Sequence, residues 1–260
     1  MSGLEGRLAL VCGGSAGIGL AAAQALAASG ASVLLLARTE SKLAAALASL
    51  PGVGDGAHGF IVADATMPVE LVERVREALA GRTLSVLVNN SAGPPPGPVL
   101  DASAAQFLTT IEQQLLAAHA LSQLVLPGMR AQRFGRIVNV ISTSVREPIP
   151  NLGVSNTARA AVAAWAKTLA AEVAADGVTV NSVLPGYTRT ARLAQILEAR
   201  AASTGRSVAA VEAEMLASVP AGRFAEPADV AAAIAFYASP QAGYVTGTTL
   251  AVDGGRTKAL

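Results

Sequence analysis

The run Gly13-Gly14-Ser15-Ala16-Gly17-Ile18-Gly19 follows a short apolar stretch and opens an alanine-rich segment of helical period. That order suits a dinucleotide. Glycines permit a tight turn and a close backbone approach, while free N–H groups at a helix start, with the positive end of its dipole, stabilise a pyrophosphate. Gly13, Ser15, Gly17, Ile18 and Gly19 are therefore candidate pyrophosphate contacts, against the alternative of an ordinary glycine turn. Arg38 stands just after the second apolar run, where the adenine ribose of such a nucleotide belongs, and Ala37 rather than an acid precedes it. An acid there would grip a free 2′-hydroxyl. A guanidinium instead offers a planar donor fork to a 2′-phosphate, so the pattern favours NADP(H) over NAD(H), with Ser41 and Lys42 as helpers. A solvated arginine at a helix start is the competing reading.

Such a loop needs strands that end along one edge of a sheet. Aliphatic or β-branched runs alternate with helical segments at Leu8 to Cys12, Ser32 to Ala37, Gly59 to Val62, Leu84 to Val88, Arg136 to Ile141, Thr179 to Val183 and Thr248 to Val252. Their near-continuous apolar content implies cover on both faces, which predicts an α/β fold with a doubly wound, Rossmann-type, seven-stranded parallel sheet. The first crossover helix is expected over Ala16 to Ser29, closed by Gly30. No internal repeat or linker-like tract interrupts the 260 residues, so one domain over 1–260 is expected. Pro94-Pro95-Pro96-Gly97-Pro98 reads as a stiff extended loop forming a wall near the cofactor. Residues 191–220, two alanine-rich amphipathic stretches broken at Ser203-Thr204-Gly205, read as a helical lid, or as a peripheral helix pair that only packs on the core. Leu193, Leu197 and Met215 within them point to an apolar substrate pocket.

Several function classes fall away on composition. Formal net charge is +1 and the basic residues are scattered, so no one-sided positive stripe exists for nucleic acid. The lone Cys12 excludes an internal disulfide and a Cys-based zinc site. His58 and His119 have no partners at metal-ligand spacing, so no metal is expected. No signal-type leader or membrane-length apolar run is present, and a soluble, cytoplasmic protein with a small-molecule substrate is the expectation. Trp165 is read as core or interface.

With these elements in place, the chain resembles the short-chain dehydrogenase/reductase family over nearly its whole length, and within it the ketoacyl-reductase-like group. The glycine run resembles T-G-x-x-x-G-I-G, with Cys12 in place of the threonine. Asp64 resembles the family's adenine-binding aspartate, and Asn89-Asn90-Ser91-Ala92 resembles N-N-A-G. Gly135-Arg136-Ile137-Val138-Asn139-Val140-Ile141-Ser142 is similar to the fifth strand and its active-site serine. Asn181-Ser182-Val183-Leu184-Pro185-Gly186 with Thr188 and Thr190 resembles the turn that holds the nicotinamide carboxamide, and Thr246-Gly247 with Val252-Asp253-Gly254-Gly255 the terminal strand. The resemblance thus adds Asp64, Asn90, Ala92, Pro185, Gly186, Thr188, Thr190 and Arg159 to the cofactor contacts. It also implies a homo-oligomer, dimer or tetramer, built on the helices that carry Gln114 and Trp165.

The same resemblance exposes departures at the catalytic positions. Counting from Ser142, the family's asparagine corresponds to Gln114, its tyrosine to Ser155 and its lysine to Arg159; Glu172 keeps the register beyond them. Hydride delivery to a carbonyl needs a proton for the developing alkoxide, and a phenol beside a cation can be tuned toward that task. An aliphatic hydroxyl cannot. Ser142 and Ser155 can polarise a carbonyl, and Arg159 adds charge without relaying a proton. Tyr187 is the nearest titratable group, either a substitute acid or an aromatic packing wall. The expected function is an NADP(H)-dependent oxidoreductase acting on a carbonyl or alcohol, a 3-oxoacyl group included, with non-standard acid catalysis. The alternatives are a catalytically silent nucleotide binder and a lyase or isomerase on the same fold.

Overall fold

Side-chain alternation along the strands decides the layers. In the computed structural model, which describes residues 3–52 and 57–259, Ala9 and Val11 join one apolar cluster while Leu8, Leu10 and Cys12 join another on the opposite side. Met1, Ser2 and Leu260, at the ends of the expected single domain, lie outside the described residues. The strands are β1 (Leu8–Cys12), β2 (Ser32–Ala37), β3 (Gly59–Val62), β4 (Val86–Asn89), β5 (Gly135–Val140), β6 (Val178–Pro185) and β7 (Thr249–Val252). All neighbours pair in parallel, in the order β3-β2-β1-β4-β5-β6-β7. The expected seven-stranded parallel sheet is present.

The helices are α1 (Gly17–Ala28), α2 (Glu40–Ala48), α3 (Pro68–Leu79), α4 (Ala104–Ile111), α5 (Ala117–Ala131), α6 (Gly153–Val173), α7 (Ala191–Thr204), α8 (Val208–Ala217) and α9 (Pro227–Ala238). Leu26 of α1, Leu43 of α2 and Ile234 of α9 cover the face carrying Val11 and Leu35. Leu71 of α3, Met129 of α5 and Leu169 of α6 cover the face carrying Leu10 and Leu36. The sheet is therefore wound on both sides, and the direction of strand order reverses at the β1–β4 junction. A crevice opens there at the carboxyl ends of the strands.

Element ends differ from the sequence expectation by a few residues, for local reasons. Ala16 is extended (φ −164°), so α1 starts at Gly17 rather than Ala16 and ends at Ala28 rather than Ser29. The ladder of β4 begins at Val86 instead of Leu84, although Ser85 N already donates to Leu8 O at 2.9 Å. Thr248 drops out of β7 because its N–H donates to the Asn181 side chain at 3.1 Å. β5 includes Gly135 and ends at Val140, and β6 runs from Val178 as far as Pro185.

Beyond β6, α7 and α8 pack on each other through Leu193, Leu197, Ala201, Val211 and Met215, joined by Phe224. This corrects the pocket expectation at two positions. Leu197 and Met215 are buried in the helix pair's own core, and of the three only Leu193 also reaches the main cleft. His58 is structural: its Nδ1 accepts from Val33 N at 3.1 Å, and its Nε2 faces Pro51 O at 2.8 Å. His119 meets the Trp165 indole edge-on, 3.3 Å from Nε1. Among the described residues no group of His, Cys, Asp and Glu side chains could hold a metal, and no helix is long and apolar enough to cross a membrane.

Leu87 sits fully buried at the centre of β4, opposite Leu10 and Ile137. Leu87→Ala is expected to cost about 2–5 kcal/mol by lost transfer energy and a residual cavity. A lowered urea midpoint with an unchanged slope would register it; an unshifted midpoint would contradict the central place given to this residue.

Candidate active site

Six strand ends, those of β1 to β6, meet around a cleft of about 530 Å³. The first supplies the glycine loop. Gly13 and Gly17 adopt φ of +62° and +55°, conformations that other residues adopt at a cost. A Cβ on Gly19 would lie 2.1 Å from Gly13 O, so α1 can approach the loop this closely only without one. From the end of β4, the Asn90 side chain donates to Cys12 O at 3.3 Å, with Gly13 O at 3.5 Å. Asn90 thus staples two strand ends together. Ser15 and Ile18 line the cleft beside this loop. Cys12, buried beneath it, has its thiol pushed up to about 12 by burial and is inert as a thiolate.

At the adenine end, Arg38 and Lys42 line the cleft. The Arg38 side chain is 67% exposed and its Nη1 stands 4.0 Å from Asp64 Oδ2. Asp64 Oδ1 accepts from Thr66 N and Thr66 Oγ1, both at 2.9 Å, which fixes the carboxylate as a turn cap. The Arg38 fork is thereby oriented from behind yet open to solvent and to a phosphate. A missing Cβ in the loop and a free guanidinium beside it fit a phosphorylated dinucleotide.

At the other end lie the departures. Ser142 follows β5, and its Oγ accepts from Ser144 N at 3.1 Å. A hydroxyl that accepts from a backbone amide keeps its own proton to donate. Ser155 and Arg159 are one turn apart on α6, hence on one face of it. Both line the cleft, and the Ser155 hydroxyl has no hydrogen-bond partner among the described residues. Arg159 Nη1 donates to Val140 O at 3.0 Å and Ile141 O at 2.8 Å. Burial, and then the charge of Arg192, lower its guanidinium to about 10, so it remains a cation at neutral pH.

Gln114 sits at a break in its helix. Here the helix between α4 and α5 loosens into a π turn, Glu112–Leu116. Gln114 faces inward, donating from Nε2 to Ala92 O at 3.3 Å, and borders a small cavity of about 30 Å³ that shares Asn90, Gln113 and Arg159 with the main cleft. Its neighbour Gln113 reaches the main cleft instead.

From the end of β6, Pro185, Gly186, Tyr187, Thr188 and Thr190 line the cleft. The Thr188 hydroxyl donates to Gly186 O at 3.2 Å and that of Thr190 to Thr188 O at 3.3 Å, which tightens the turn into α7. Tyr187 is held between the Phe224 ring, edge-on at 5.9 Å, and the Arg256 guanidinium, 4.9 Å from its centroid. The proline segment is anchored by Gly97 N donating to Asn151 O at 2.7 Å and Gly153 N donating to Gly97 O at 3.3 Å, so it abuts the start of α6. Arg192 of α7 crosses to this segment and donates to Pro94 O at 2.6 Å. Sequence reasoning passed over Arg192. Its only signal was a cation two residues beyond Thr190.

Residues 13–257 match the protein family described as enoyl-(acyl carrier protein) reductase. The chain is 38% identical to 3-oxoacyl-[acyl-carrier-protein] reductase FabG of Vibrio cholerae, covering 97% of this chain and 98% of the relative. With the FabG of Escherichia coli the identity is 35%, over 96% and 97%. The crystal structure of L-sorbose reductase from Gluconobacter frateurii, complexed with NADPH and L-sorbose, superposes with a TM-score of 0.91 at 29% identity, over 99% of each chain. The glycine loop at the β1–β4 junction, the converging strand ends and these relatives together place the chain in the short-chain dehydrogenase/reductase family.

Proposed function

We propose that this protein is an NADP(H)-dependent oxidoreductase interconverting a carbonyl and an alcohol on a small molecule. The observation that carries the proposal is the single cleft that joins a glycine cradle and an open Arg38 to Ser142, Ser155 and Arg159. Relatives named as reductases of a 3-oxoacyl group and of L-sorbose, the latter complexed with NADPH, support both the cofactor and the carbonyl class. Gly13, Ser15, Gly17, Ile18 and Gly19 receive the pyrophosphate, and Arg38 with Lys42 receives the 2′-phosphate. Asp64 flanks the adenine. Asn90, Ala92, Arg159 and the Pro185–Thr190 turn border the nicotinamide half.

When bound, the reduced cofactor supplies a hydride for the carbonyl carbon. The chain's own residues then act on the oxygen. Ser142 and Ser155 donate hydrogen bonds to it, and the Arg159 cation stabilises the negative charge that develops there. Solvent in the open cleft provides the proton. Tyr187 closes one wall, and residues 191–220 form a lid whose first turn lines the cleft. Exposed Leu108 and Leu116, on and just after α4, support a homo-oligomeric interface on that side. A lone buried cysteine is compatible with a cytoplasmic location.

Calorimetric titration is expected to show NADPH binding about tenfold or more tightly than NADH, with Arg38→Asp narrowing or inverting the preference. Equal affinities in the unmodified protein would remove Arg38 as the phosphate partner. Gly17→Val, whose added Cβ would stand 3.2 Å from Thr190 Cγ2, should weaken NADPH binding more than it lowers the melting temperature of the free protein.

Turnover on simple ketones should be slow, because general acid catalysis is commonly worth about 10²–10⁴-fold. Restoring the family pattern with Gln114→Asn, Ser155→Tyr and Arg159→Lys together should raise NADPH-dependent ketone reduction, while Tyr187→Phe should leave kcat within about twofold. A large loss in Tyr187→Phe at unchanged cofactor affinity would make Tyr187 the acid. Binding of NADPH with no oxidation across a broad carbonyl panel would favour the silent binder.

A further inference from the structure

Charge in the cleft is unbalanced. Among the described residues Asp64 is the only acidic one lining it, against Arg38, Lys42, Arg159 and Arg192. Asp64 is at the adenine end, engaged by Thr66 and faced by Arg38, so no acid serves the far end. Arg159 and Arg192 meet there without a carboxylate at ion-pair distance among the described residues.

The lid supplies an internal contrast. Within it Arg200 and Arg206 share Glu214, and Arg189, just before it, pairs with Glu212 and Glu226. Arg192 is the lid arginine that lines the cleft, and its one hydrogen bond, to Pro94 O, leaves most of its donor fork unused. It also occupies the first turn of α7, just after Thr190, where a cation opposes the positive end of the helix dipole. The guanidinium lies against Gly93, with Nη2 3.3 Å from where a Cβ would stand, so a larger residue there would crowd it. Burial lowers the pKa of both arginines, and Arg192's charge lowers that of Arg159 further. Two partly desolvated like charges are unfavourable alone and favourable around an anion.

We propose that Arg192 binds a carboxylate of the substrate, beside Arg159, making the substrate class a ketone that carries a carboxylate, or the corresponding hydroxy acid. This rests on the oxidoreductase reading above. An arginine fork matches a carboxylate in two parallel hydrogen bonds, which orients the ketone as well as holding it. The lid position of Arg192 gives the carboxylate a further consequence. It ties α7 to the ligand while Pro94 O ties α7 to the proline segment, so the anion favours the closed arrangement.

Matched ketones that differ in charge test this: acetoacetate against its methyl ester, and 4-oxopentanoate against its methyl ester. With NADPH, kcat/KM for each acid should exceed that for its ester by about tenfold or more, as expected for one charged hydrogen-bonded contact. Arg192→Gln should bring the ratio to within about twofold, Arg192→Lys should restore part of it, and Arg200→Gln, on α7 but away from the cleft wall, should leave it in place. Binding to protein saturated with NADP+, which cannot reduce a ketone, separates recognition from turnover. If nothing is turned over but the acids bind more tightly than the esters and Arg192→Gln removes the difference, the carboxylate site stands and the oxidoreductase reading fails. Esters used or bound as well as acids in the unmodified protein would overturn the proposal. So would an Arg192→Gln variant that keeps the acid preference but weakens NADPH, because Arg192 would then be a partner of the cofactor's pyrophosphate.

Discussion

One nitrogen of the Arg159 guanidinium donates to the carbonyls of Val140 and Ile141, and the chemistry of the cleft depends on that anchorage. It ties α6 to the carboxyl end of β5, which sets Ser155 one turn away and brings Ser142, the next residue after Ile141, alongside. It also fixes a charge. A group held near 10 by burial and by its neighbour Arg192 is still protonated at neutral pH, so it offers a standing positive potential rather than a proton. Preorganised charge of this kind needs no reorientation as an oxyanion forms. Losing a phenol therefore does not strip the site of every means of stabilising a transition state.

The cofactor half depends on the opposite device, the absence of side chains. Gly19 must lack a Cβ for α1 to meet Gly13 O, and Asn90 holds that loop against β4 from the other side. The two halves share one sheet edge, since the contributing loops leave the carboxyl ends of β1 to β6. Arg38 and Arg159 mark the extremes, one exposed to solvent and one turned onto backbone carbonyls.

Much of this was legible in the chain before its structure. Strands such as Ser32–Ala37 are apolar at every core position, and a parallel sheet covered on both sides leaves no other pattern to follow. The glycine loop was legible because its conformational demands exclude side chains. The helix break at Gln114 was less so, because a π turn leaves no mark in composition. Leu197 and Met215 were read as pocket-lining, yet amphipathic helices that pack on each other show the same periodicity as helices that face a ligand. Arg192 escaped notice for a related reason. A solvated cation and one that crosses a cleft to Pro94 O look alike until the lid is in place.

The account's central claim is that the site works by fixed charge and hydrogen bonding, with no side chain titrating near neutrality as the proton donor. The pH dependence of kcat at saturating NADPH and ketone reports most directly on this. The Arg159 cation is present below about 10 and lost above it. Accordingly kcat should stay level from about pH 6 to pH 9 and fall only as that cation is lost. A kcat that declines through the neutral range, as an essential acid gives up its proton, would contradict the account.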